Sequence, residues 1–114
     1  MNKFLKSLPI AFSGIVAAFK SELSLKIQLV FAVVAIFCGF YLNITRMEWL
    51  VLVLTISLVI AAEMLNTAIE KTLDLLHPQQ SPKVKFIKDV AAGAVLILAL
   101  ASVVVGILIF WGYI

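Results

Sequence analysis

Two long stretches of this chain carry no charge, and a water-soluble fold of this size has no place to put them. From Ile27 to Thr45 there is no charged residue, and at about 1.5 Å of rise per residue that stretch covers roughly 28 Å, one hydrocarbon thickness. Val90 to Ile114 is uncharged throughout, long enough to cross a bilayer with some tilt. Between them, Trp49 to Ala62 is uncharged for only 14 residues, short of the ~20 a crossing needs, so the middle span must continue past Glu63 and Asn66. Composition agrees: 64% of the 114 residues are apolar and 13% charged, against roughly 45–50% and 25% in a soluble domain. A mean hydropathy of +1.18 leaves too few charges to cover a small domain's surface. The same arithmetic excludes a disordered tail, a disulfide scaffold and a cysteine-rich zinc module, since Cys38 is the only cysteine. The expected fold is an all-α membrane protein of one domain, 1–114. It has a surface helix over 1–21 and transmembrane helices over about 25–45, 48–77 and 83–112.

Charge sets the orientation. Eight of the nine basic residues lie in two places: Lys3, Lys6, Lys20 and Lys26 before the first span, and Lys71, Lys83, Lys85 and Lys88 between the second and third. Both places should be cytoplasmic, which gives an N-in, C-out chain with three crossings. The ninth, Arg46, sits in the short outer connection. Tyr41, Trp49, Trp111 and Tyr113 all fall at the ends this scheme calls outer, as an interfacial aromatic belt requires.

The first 21 residues have the outline of a signal peptide, with a basic start, a short apolar stretch and small residues. Phe4, Leu8, Phe12, Ile15 and Phe19, however, recur at helical spacing with Ser7, Ser13, Gly14 and Lys20 between them, which suits a retained helix lying on the inner surface. Pro9 argues against a regular helix there, because an interior proline removes a hydrogen bond. HPQQSPK, from His77 to Lys83, reads as a turn that stops the second span. AAGA, Ala91 to Ala94, is a small-residue patch suited to close helix approach or to a ligand, and Cys38 reads as an apolar filler of the first span.

Chemistry concentrates on the second span. Taking Glu63 as zero, Asn66 falls at about −60°, Glu70 at about −20°, Asp74 at about +20° and His77 at about −40° around the helix. The polar side chains share one narrow face, with a ladder of acids about 16 Å long from Glu63 to Asp74. Such a ladder repels itself unless positive charge sits beside it. Glu22, before the first span, and Asp89, before the third, should lie at the same cytoplasmic level, as should Lys88. An ordinary solvated face or polar glue between helices would account for some of these residues. For Glu63 an ionisable group at that depth makes function the default. Carboxylates converging with a lysine at a membrane edge are what a magnesium-nucleotide site needs: hard oxygen ligands for Mg2+ and a cation for the phosphates.

The run EMLNTAIEKTLD (Glu63 to Asp74), followed by KDVAAGAV (Lys88 to Val95), resembles the signature of the small prokaryotic diacylglycerol kinase and undecaprenol kinase family. That signature reads E-[IL]-L-N-[ST]-A-I-E, three further residues and D, and it is met at Glu63, Asn66, Ala68, Ile69, Glu70 and Asp74. The resemblance covers essentially the whole chain. It implies a lipid kinase of the bacterial inner membrane that moves the γ-phosphate of MgATP onto a lipid alcohol, and a homotrimer with active sites shared between subunits. By position it implies that Glu63 is the general base, that Glu22 and Glu70 hold magnesium with the nucleotide, and that Asn66 is a polar residue beside them. Lys88 and Asp89 match a nucleotide-contacting pair, Asp74 an acid close to the nucleotide, and Gln79 to Ser81 a loop that closes on it. Lys3 stands where some members have an arginine that reaches the nucleotide, and a lysine cannot make the same two-pronged contact. Lys26, Ile27 and Gln28 stand where many undecaprenol kinases have arginine, isoleucine and histidine, so the lipid stays open between undecaprenol and diacylglycerol.

Two readings of other classes compete. In a small oligomeric transporter one intramembrane carboxylate, Glu63, would exchange protons with a cationic substrate. Acids that climb from the membrane edge into the cytoplasm fit this poorly, because a transporter wants its carboxylate near the midplane. A non-catalytic membrane subunit with a polar assembly face is the third.

Overall fold

The computed structural model describes residues 2–114, which form four α-helices and a short terminal turn of 3-10 helix. Helix α1 spans Asn2–Ser21, α2 Leu23–Leu42, α3 Arg46–Leu76 and α4 Pro82–Phe110, with the 3-10 turn over Trp111–Tyr113. All four helices are long and apolar enough to cross a membrane by length and composition, α1 being the least apolar. Helix α1 runs through Pro9 without interruption, despite the hydrogen bond that the proline removes. The chain changes direction at Glu22 instead, whose extended backbone (φ −112°, ψ 119°) separates α1 from α2.

Local chemistry sets the helix ends. Asn43 closes α2 in the left-handed region (φ 53°), and its N–H turns back to the last carbonyls of the helix, a conformation that asparagine tolerates better than most residues. Two residues on, Thr45 opens α3 with a capping box: its hydroxyl accepts from the Glu48 N–H, and the Glu48 carboxylate accepts from the Thr45 N–H. Ser81 caps α4 by accepting from the Val84 N–H, with Pro82 at the first helical position, where its missing donor does no harm.

Helices α3 and α4 form the most extensive pair, and α2 packs on α3. On α2 the buried residues are Leu25, Ala32 and Gly39, a repeat of seven that places them on one stripe. The inward stripe of α3 runs Trp49, Leu52, Ile56, Val59, Glu63, Asn66, Glu70, alternating steps of three and four. Glu63 therefore takes a core position in a run that is apolar up to that point. This is why a carboxylate ends up buried. At the opposite end of the molecule a bare Gly39 admits the Trp49 ring: a Cβ there would stand 2.7 Å from its Cη2 atom. Trp49 also packs at a tilt against Phe40, with centroids 4.8 Å apart and the rings inclined by 51°, and the Tyr113 hydroxyl donates to the Glu48 carboxylate, tying the turn after α4 to the start of α3.

The molecule measures 50 × 40 × 23 Å, a thin slab rather than a ball. Buried apolar residues are few, while Phe31, Phe37, Leu54, Ile97 and Leu108 are exposed. Cys38 also faces outward rather than filling the interior. Among the described residues nothing lies within 4 Å of where a Cβ on Gly93 would stand, so at this residue of the Ala91 to Ala94 patch no neighbour requires a glycine.

Candidate functional site

The α1–α2 joint, the last turns of α3 and the first turns of α4 come together at one end of the molecule. Glu22 is the residue before α2, where a side chain normally caps the helix, yet its carboxylate caps nothing. It lies 3.9 Å from Lys71 Nζ, with its side chain 26% exposed against 67% for the lysine. That brings Glu22 to the level of Glu70 and Lys71 on α3.

Glu63 is 8% exposed and is the one buried charged residue among those described. Its Oε2 accepts a hydrogen bond at 3.1 Å from Ser24 Oγ, which reaches it from the first turn of α2. One turn further along α3, Asn66 Nδ2 donates to Glu70 Oε1 at 3.2 Å. The Asn66 Oδ1 is enclosed and has no partner. Beyond it the stripe opens to solvent: Asp74 accepts from Lys88 Nζ at 2.7 Å across the α3–α4 turn, and His77 Nδ1 lies 2.6 Å from the Gln79 carbonyl, holding the turn.

Lys88 and Asp89, adjacent in sequence, pair with different side chains. Neighbours on a helix point about 100° apart, and Asp89 turns back to Lys85 on its own helix at 2.6 Å. A cavity of about 500 Å³ lies beside them, lined by Gln80, Ser81, Val84, Lys85, Lys88 and Asp89.

On the Val59 side of Glu63 an apolar cleft of about 310 Å³ runs between α2, α3 and α4, lined among others by Gln28, Ala32, Val59, Ile60, Ser102 and Gly106. Val59 and Ile60 lie about one turn before Glu63, and Gln28 about one turn after Ser24. The cleft's lining therefore stops about one turn short of the buried carboxylate, and the acids and lysines lie beyond it along α3 and α4.

The oxygen donors fit a hard divalent cation. The enclosed amide oxygen of Asn66 has no partner, and the Glu22 carboxylate is free of capping duty and held only by a 3.9 Å ion pair with Lys71. Among the described residues no three acids, histidines or cysteines gather tightly enough to form a cage. Magnesium does not require one, since it is usually held by one or two carboxylates plus waters and substrate phosphates.

The model of the family described as prokaryotic diacylglycerol kinase matches residues 9–110. The chain belongs to the prokaryotic diacylglycerol kinase family. It is thus a lipid kinase, and the transporter and subunit readings fall away. The kinase is 37% identical over 110 residues to the undecaprenol kinase of Bacillus subtilis, covering 96% of this chain and 89% of that one. It is 38% identical over 103 residues to a diacylglycerol kinase of Synechocystis sp., covering 90% and 59%. To the diacylglycerol kinase of Escherichia coli K12 it is 23% identical over 112 residues, covering 98% and 92%.

Sequence reasoning passed over Ser24 in this kinase. The available signal was a lone hydroxyl in the first turn of a helix that is otherwise nearly all apolar, two residues after Glu22.

Proposed function

We propose that the kinase transfers the γ-phosphate of MgATP to the hydroxyl of undecaprenol or diacylglycerol, at the cytoplasmic face of the bacterial inner membrane. The observation that carries this reading is Glu63: a buried carboxylate on α3 about one turn beyond the lining of an apolar cleft and on the way to a cluster of acids and lysines. A lipid's chain suits the cleft and its hydroxyl suits the end nearer Glu63, while the polar side accommodates a nucleotide.

Phosphoryl transfer asks the protein to align donor and acceptor and to neutralise charge. The lipid oxygen attacks the γ-phosphorus, the bond to the ADP oxygen breaks, and Glu63 takes the hydroxyl proton. Lys88 neutralises charge on the transferred group. Glu22 and Glu70 would hold magnesium, with Asn66 orienting Glu70; magnesium supplies charge neutralisation at the phosphates. Asp74 and Asp89 hold the two lysines that flank the nucleotide side.

The basic residues of α1, of the end of α3 and of the start of α4 support the N-in, C-out arrangement. The apolar row of α1 supports its lying along the inner surface. So many large exposed apolar side chains support a bilayer setting, and the family resemblance supports assembly there as a homotrimer.

The test is ATP consumption by detergent-solubilised protein with and without lipid alcohol, with undecaprenol and diacylglycerol in competition and products identified by mass. Lipid-dependent turnover sustains the reading; ATP consumption indifferent to both alcohols overturns it. A second expectation concerns Asn66. Partners that orient a metal ligand typically carry 10–100-fold in affinity, so Asn66→Ala should weaken Mn2+ binding in the presence of a non-hydrolysable ATP analogue by about that factor. Electron paramagnetic resonance of free Mn2+ reads the change without turnover.

A further inference from the structure

Hydroxyls inside helices usually bond back to their own backbone, and most in this chain do. Ser13, Ser21, Thr55, Ser57, Thr72 and Ser102 each donate to a carbonyl three or four residues earlier. Ser24 does not. It stands in the first turn of α2, just after the extended backbone of Glu22, so the carbonyls three and four residues back belong to a helix running in another direction. Freed from that bond, its hydroxyl crosses to α3 and donates to Glu63 Oε2 at 3.1 Å.

The consequence falls on the other oxygen. Among the described residues Glu63 accepts this hydrogen bond alone, and the enclosed atom without a partner nearby is Asn66 Oδ1, not Glu63 Oε1. One carboxylate oxygen is therefore anchored, and the other has no hydrogen-bond partner among the described residues. A glutamate has three side-chain torsions, and without an anchor its carboxylate would sample several directions inside the bundle.

We propose that Ser24 is a positioning residue for Glu63, fixing Oε2 so that Oε1 is aimed at the hydroxyl to be phosphorylated. This rests on Glu63 being the base. Ser24 touches neither substrate; it acts through the carboxylate. A misplacement of about 1 Å at a reacting group can lower a rate by about a hundredfold, and a hydrogen bond to a charged group is worth about tenfold to a hundredfold.

The experiment uses the full chain in lipid-detergent micelles with MgATP and a lipid alcohol. Ser24→Ala should lower kcat by about tenfold to a hundredfold while the KM values for ATP and lipid stay within about threefold. Ser24→Thr, which keeps the hydroxyl, should recover kcat to within about threefold of the parent. Adding Ser24→Ala to Glu63→Gln should cost nothing further, because the partner through which Ser24 acts is already disabled. A Ser24→Ala protein with unchanged kcat, or a threonine variant no better than the alanine one, overturns the proposal. So does a further loss in the double variant. Failure of the underlying reading looks different: Glu63→Gln alone would then turn over at the parent rate. If the alanine variant does not fold, Ser24→Cys carries the same test, since a thiol matches the volume and is a weaker donor; it should fall between serine and no donor.

Discussion

Glu63→Gln yields a protein that folds and binds MgATP yet transfers phosphate about 10²–10⁴-fold more slowly, the range carried by a positioned general base. The substitution keeps volume and shape, and the new amide oxygen can still accept from Ser24 Oγ, so the tie between α2 and α3 survives. Removing a charge from a site only 8% exposed takes away a desolvation penalty rather than a stabilising contact. Thermal stability should hold or rise. Nucleotide binding should persist because the groups assigned to it are elsewhere: Glu70 is bonded by Asn66 about two turns along α3, and Lys88 is bonded to Asp74 about three turns along. Titration with a fluorescent ATP analogue, paired with single-turnover transfer of labelled phosphate, separates the two properties. Retained transfer removes Glu63 from the base role. Loss of both binding and transfer would place the carboxylate among the nucleotide's ligands instead.

What the sequence could and could not reveal divides along a physical line. The uncharged runs mark where helices must lie, because water-free length is a one-dimensional property. The shortness of the run from Trp49 to Ala62 is enough to force α3 past Glu63, and α3 does extend from Arg46 to Leu76. Angular spacing likewise puts Glu63, Asn66 and Glu70 on one stripe. Which helix meets that stripe is a three-dimensional question. Ser24 reaches Glu63 only because the backbone at Glu22 is extended and resets the direction of the chain, and periodicity carries no trace of that turn. Glu48 shows the same limit: its capping box with Thr45 is a local pattern, whereas its bond from Tyr113 joins residues 65 apart and depends on the packing of α4 against α3. Lys88 and Asp89 show a subtler one. The resemblance pairs them at a nucleotide; the ion pairs they make with other side chains, Lys88 with Asp74 and Asp89 with Lys85, depend on packing and helix phase that the motif does not spell out.

Lys88→Met should cost the kinase about 10²–10³ in kcat and almost nothing in stability, and the two magnitudes are what make the variant informative. The Lys88 and Asp74 side chains are 36% and 60% exposed, and ion pairs in that setting contribute about 0–1 kcal/mol to folding. A cation poised on charge that develops in the transition state contributes far more, about 2.7–4 kcal/mol for one donor. Methionine keeps the length and apolar stem of lysine, so the packing of the first turns of α4 is retained. Asp74→Asn is the companion variant. It releases the ammonium from its 2.7 Å partner while leaving the charge in place, and its loss should stay within about tenfold, because a partner that only holds the lysine contributes less than the lysine itself. Steady-state kinetics on both variants, with unfolding temperatures measured in the same detergent, decide the matter. Equal losses in the two would show that the ion pair, rather than the ammonium alone, is the unit the reaction uses.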